Sequence, residues 1–124
     1  MATTVKAGGP VEGVVVSFRP ASTWTDPGAE DLVSISTGAD YEVSECANSD
    51  VPAGVVRAVA PDKKVVSVEL FCAGAIARLP YTGIPARGNQ IQASAATTVK
   101  GVASGGLGKV IGVDVVSNYV DVLF

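Results

Sequence analysis

The sequence has no histidine, one tryptophan, one methionine and two cysteines among 124 residues. Without histidine there is no Ser-His-Asp or Cys-His machinery for nucleophilic catalysis. Cys46 and Cys72 lack CxxC spacing and make no zinc site, which needs about four ligands. They read as reduced thiols, at least partly buried. Aromatic residues are 6% and charged residues 17% of the chain, the latter below the usual roughly 25%. No apolar run approaches ~18 residues, so no membrane span is expected. The start, Met1 to Lys6, has no apolar core of the kind a signal peptide carries. The net charge is −3 and no basic run occurs, which argues against a nucleic-acid partner.

What is present is small and aliphatic. Apolar residues reach 48% with 14 glycines, so valine, alanine and glycine must supply the core. Two segments look like copies of one hairpin. The first reads Gly54-Val-Val-Arg-Ala-Val59, a turn at Pro61 to Lys63, then Val65-Val-Ser-Val-Glu-Leu-Phe71. The second reads Gly108-Lys-Val-Ile-Gly-Val113, a turn near Ser117 and Asn118, then Tyr119-Val-Asp-Val-Leu-Phe124. A strand running to the last residue is expected to be tied into a sheet, because untethered termini fray.

Further strands are expected at Gly13 to Phe18, Asp31 to Ser36, Tyr41 to Ser44, Gly74 to Leu79, Gln90 to Ala93 and Thr98 to Lys100. They are rich in β-branched residues and punctuated by Gly, Pro, Asn and Asp. No segment carries a sustained helical period with caps; a short helix has room only within 20–30 or 101–107. The expected fold is all-β: a small β-barrel or β-tulip-like sandwich of short antiparallel strands, with at most one short helix. Residues 1–12 read as a flexible N-terminal arm and 13–124 as a single β domain.

Charge is divided along the chain. Residues 1–62 hold nine acidic and three basic residues, net −6, and residues 63–124 hold three acidic and six basic, net +3. Such asymmetry suits head-to-tail subunit contacts, though the charges also serve as ordinary solvent-facing loop residues. The stretch Ser104-Gly105-Gly106-Leu107-Gly108-Lys109 superficially resembles a phosphate loop. It has Ala103 where the first glycine belongs and Val110 where Ser or Thr belongs, and a strand follows instead of a helix. Asp26, Glu30 and Asp31 cluster around one loop without calcium-loop spacing, and Asp114 with Asp121 flank the last turn. These acids read as solvated surface charges. Trp24, in a Pro/Gly loop, is either a lid over a barrel end or a contact anchor. Tyr81, flanked by Arg78 and Arg87, presents the same choice.

Taken together, Val11-Glu-Gly-Val-Val-Val16, Asp31-Leu-Val33, the two hairpins, Cys72-Ala-Gly-Ala-Ile-Ala77, Gly88-Asn-Gln-Ile91 and Val120-Asp-Val-Leu-Phe124 resemble the small capsid decoration, or cement, proteins of tailed bacteriophages. The loop from Phe18 to Asp31 is longer than usual for that family. The resemblance implies a non-enzymatic virion protein on the capsid exterior, made in the host cytoplasm, with the major capsid protein and its own copies, as a homotrimer, for partners. It implies no cofactor and no metal. Residues expected to contact the capsid are Ala2, Thr3, Thr4, Val5 and Lys6, with Trp24 as a second anchor. The alternatives are a tail or spike subunit and, more remotely, a trimeric β-barrel nucleotide hydrolase, whose motif Gly112-Val-Asp114 echoes without the tyrosine that should follow.

Overall fold

The computed structural model describes residues 10, 11 and 13–124, and these form ten short strands and no helix. The strands are β1 (Val15–Pro20), β2 (Leu32–Ile35), β3 (Glu42–Glu45), β4 (Gly54–Val59), β5 (Val66–Leu70), β6 (Ile76–Pro80), β7 (Gln90–Ala93), β8 (Val99–Val102), β9 (Lys109–Asp114) and β10 (Tyr119–Leu123). Each coincides with an expected apolar, β-branched run. Both segments with room for a helix, 20–30 and 101–107, are turns and strand ends instead. With no helix among the described residues, none is long and apolar enough to cross a membrane.

Strands β1 to β5 close a barrel in the order β1-β3-β2-β4-β5. The ladders are antiparallel except β1–β3, which is parallel, with Arg19 opposite Glu42 and Pro20 opposite Val43. That exception follows from closure: five strands cannot alternate direction all the way round a barrel, so one neighbouring pair must be parallel, and here it is β1 with β3. Local hairpin pattern does not signal a pairing of this kind.

The remaining five strands repeat the arrangement. β6-β10-β9 form one sheet and β7-β8 another. A parallel bridge joins Tyr81 to Val99 and an antiparallel one joins Ile91 to Leu107. Through these single bridges, in place of the full ladders of the first barrel, the two sheets follow the cyclic order β6-β8-β7-β9-β10, the order of the first barrel, and the five strands are called the second barrel on that ground.

The two hairpins match residue for residue. In β4–β5 the register shifts between Val56 and Ala58, leaving Arg57 as the extra residue. In β9–β10 it shifts where Val110 and Gly112 flank the extra Ile111. Both therefore carry a bulge at the same point, which adds local twist and helps a short sheet curl into a barrel. Each opens on a glycine for the same steric reason. A Cβ on Gly54 would lie 2.6 Å from Val68 Cγ1 and one on Gly108 2.7 Å from Val122 Cγ1, well inside contact distance. The cores correspond too. Val33, Val43, Val56, Val66 and Val68 fill the first barrel, and Ile91, Val99, Val110, Val120 and Val122 hold the matching positions in the second.

The barrels share one boundary. Strand alternation turns Val33 and Val56 inward and leaves Leu32 and Val55 on the outer flank. These two and Cys46 are 0%, 1% and 3% exposed because they join the core of the second barrel. Backbone bonds seal the contact: Leu32 N–H donates to Ala96 O at 2.7 Å, Ser49 N–H to Ala93 O at 2.8 Å, and Ala93 N–H to Asp50 O at 2.8 Å. Phe71 stacks on Phe124 with centroids 4.5 Å apart.

Deleting side-chain volume at this boundary leaves a cavity that neither barrel can close. Leu32→Ala is expected to lower unfolding stability by ~2–5 kcal/mol, whereas Val116→Ala, at a turn residue 89% exposed, should stay within about 0.5 kcal/mol. Urea denaturation of the two variants against the parent chain checks this.

Candidate interaction surface

The charged side chains serve mostly as staples. The bulge turns Arg57 so that its Nε donates to Glu69 Oε1 at 3.1 Å and its Nη1 to both Glu30 oxygens at 3.2 and 3.3 Å. Glu69 is the one buried charged residue among those described, at 7% exposure, so its carboxylate needs this partner. Partial burial works against the Arg57 charge, but the hydrogen bond and charge of Glu69, with those of Glu30, outweigh it and raise its pKa. On the outer face of β6-β10-β9, Arg78 grips Asp121 with two bonds, Nε to Oδ1 at 2.9 Å and Nη2 to Oδ2 at 3.2 Å. That bidentate pairing likewise raises the arginine's pKa.

Beside this pair lies a depression of about 380 Å³ lined by Arg78, Gly112, Asp114, Ser117, Tyr119 and Asp121. Its two carboxylates do not act as a pair. Asp121 is held by Arg78, and Asp114 Oδ1 accepts the N–H groups of Val116 and Ser117 at 3.0 Å each, capping the turn. The acids around the first long loop are divided in the same way. Asp26 pairs with Lys63, which lowers the Asp26 pKa; Glu30 pairs with Arg57; Asp31 Oδ2 accepts Gly28 N–H at 2.9 Å. Among the described residues no cluster of three potential metal ligands forms.

The glycine-rich stretch leads directly into β9, so Lys109 begins a strand and faces no helix terminus. Gly106 N–H donates to Gln90 Oε1 at 3.0 Å, and Gly105 O accepts from Gln92 Nε2 at 3.0 Å. The loop is thereby fastened along β7 and presents no ring of open amides to a phosphate.

Of the expected capsid contacts, Ala2, Thr3, Thr4, Val5 and Lys6 lie outside the described residues. Trp24 is half-buried and packs on the first barrel core with Phe18, Val59 and Leu70. Its Nε1 is buried without a partner. Beside it a hollow of about 400 Å³ is rimmed by Arg19, Lys63 and Lys64. Tyr81 packs on the second core with its hydroxyl buried and unpaired. Both cysteines are free, Cys46 buried and Cys72 half-buried.

Composition and alternation did not single out a set of exposed apolar side chains. Ile35 is 57% and Tyr41 72% exposed. With Phe18 and Ala39, and with Asp40 and Glu42 at the edge, they rim an open hollow of about 230 Å³ at the mouth of the first barrel. Along β2, Ile35 continues the inward series begun by Val33. Only the closed barrel shows that this end of the series is uncovered.

Burial, reinforced by the charge of Asp50, pushes the Cys46 thiol up to about 12 from an ordinary 9.0. A pKa raised by folding leaves stability intact below the unfolded value and erodes it as pH rises through the window between the two. Stability should therefore fall from about pH 9 upward by as much as ~1.4 kcal/mol per pH unit from this one group, and Cys46→Ala should lack that component. Unfolding titrations of both proteins across that window check it, and iodoacetamide should label Cys46 only after unfolding.

No protein-family model matches the chain, and no curated protein matches it.

Proposed function

We propose that this protein is a non-enzymatic structural subunit of a virion that binds the outer surface of a tailed-phage capsid and stabilises it, acting as a homotrimer. One observation carries the reading. Val11 sits at the edge of β6 in a two-bond antiparallel bridge with Ile76, its N–H on Ile76 O at 2.9 Å and its O on Ile76 N–H at 3.0 Å. The chain therefore joins the body at a sheet edge. The residues ahead of that point, including Ala2 to Lys6, add as a strand to an exposed edge of the major capsid protein. Main-chain hydrogen bonds supply affinity and alternate side chains supply register.

The rest of the molecule suits a passive role. Its acids and bases staple strands, and two exposed apolar side chains, Ile35 and Tyr41, meet at one open hollow, where a contiguous apolar surface favours protein contacts. Weak contacts repeated around each capsomer act multivalently. Binding only to the assembled lattice stabilises that lattice by linkage.

Co-sedimentation with purified, expanded, tail-free heads tests the proposal. The full chain should pellet with the heads saturably and raise their disruption temperature. The variant lacking residues 2–10 should lose at least tenfold in affinity. Equal binding by that variant removes the arm's role, and failure of the full chain to bind heads removes the capsid reading.

A further inference from the structure

The correspondence of the two halves extends beyond their cores to individual hydrogen bonds. In the first half Glu30 N–H donates to Val56 O and Val56 N–H to Asp31 O, both at 2.8 Å; in the second Gly88 N–H donates to Val110 O and Val110 N–H to Asn89 O, both at 2.8 Å. Ala21 N–H meets Val43 O at 2.8 Å as Thr82 N–H meets Val99 O at 3.0 Å, and Leu70 N–H meets Val14 O at 2.8 Å as Phe124 N–H meets Ala75 O at 3.0 Å. Asp31 Oδ2 caps Gly28 N–H as Asn89 Oδ1 caps Ala86 N–H. Pro27 and Pro85 are both buried at the start of these turns. The chain is one five-stranded unit made twice.

The contact between the units is not symmetric. The flank of the first unit (Leu32, Cys46, Val55 and the Ser49–Asp50 loop) covers the mouth of the second, where Ala93 is 0% exposed. A contact between unlike faces of like units leaves one of each unused. The unused flank belongs to the second unit: Gln90, Val102 and Lys109 match Leu32, Cys46 and Val55, and the Gly105–Gly106 loop matches Ser49–Asp50. The unused mouth belongs to the first unit, where Ile35 matches Ala93 but is 57% exposed. Ala93 uses its outward N–H and C=O on Asp50 and Ser49. Ile35 pairs with Val43 across its own hairpin and has no backbone partner on its other side among the described residues.

Charge favours the same match. Residues 13–72 hold nine acidic and four basic residues, net −5, and residues 73–124 hold four basic and two acidic, net +2. Asp40 and Glu42 stand at the open mouth, and Lys109 stands exposed on the open flank.

We infer that the open mouth of one copy receives the open flank of a second copy, repeating between chains the contact that joins the two units within the chain. Such a head-to-tail interface propagates until it closes into a ring. This assembly follows from the repeat and stands whether or not the protein binds capsids.

Light scattering on the intact chain and on two surface variants tests it. The parent protein should have a mass that is a multiple of 12.5 kDa. Ile35→Arg at the mouth, and Val102→Glu with Lys109→Glu at the flank, should each give 12.5 kDa particles. Each spoiled variant keeps one good face, so an equimolar mixture should form a heterodimer of twice 12.5 kDa and go no further. Circular dichroism and cooperative melting confirm that each variant is folded, and Tyr41→Arg, at a side chain 72% exposed, is a second mouth variant if Ile35→Arg is not. A monomeric parent protein, a folded variant that keeps the parent mass, or a mixture that stays at 12.5 kDa overturns the inference.

Discussion

The structure depends on the burial of one barrel's flank in the mouth of the other. A five-stranded unit of this size cannot both curl into a barrel and cover its own ends with valine and alanine alone. Leu32, Cys46 and Val55 point away from the first core and become part of the second. The main-chain bonds of Leu32, Ser49 and Asp50 to Ala96 and Ala93 then take up backbone groups that the end of β7 would otherwise leave exposed. Lys100 adds its ammonium to Asn48 and Ser49 across the same boundary at 2.9 and 2.8 Å. Each unit thus supplies part of the other's surface or core.

Within that frame the two units have diverged where the frame permits it. Both hairpins need the bulge, but the side chain at the bulge is free. In the first unit it is Arg57, aimed at Glu30 and Glu69; in the second it is Ile111, which lies exposed. Between β1 and β5 the outward pair is Ser17 and Ser67, whereas between β6 and β10 it is Arg78 and Asp121. The backbone device is held by sterics, seen in the glycines that precede β4 residue Val55 and β9 residue Lys109, while the outward chemistry is not. An ion pair on the outer face of a sheet contributes modestly, so its replacement by serine leaves the unit intact. Among the described residues no cluster of three potential metal ligands forms.

The sequence by itself determined the all-β class, the position of every strand to within a few residues, the repeat of the hairpin and the valine core. Each of these is written locally, in β-branched runs with turn residues between them. It also shows that the phosphate-loop and calcium-loop spacings are not met, because spacing is local as well. Two things were decided only in the tertiary structure. One is the cyclic order, with its parallel β1–β3 pair, since alternation says which side of a strand is apolar but not which strand lies beside it. The other is what covers each apolar side. Val55 and Val56 are adjacent valines that both vanish from solvent, one into each barrel, while Ile35 has the inward position of a core residue and is left at an open mouth. Trp24 read equally as lid or anchor for the same reason. Burial is set by neighbours distant in the chain, and here those neighbours belong to the other copy of the repeat.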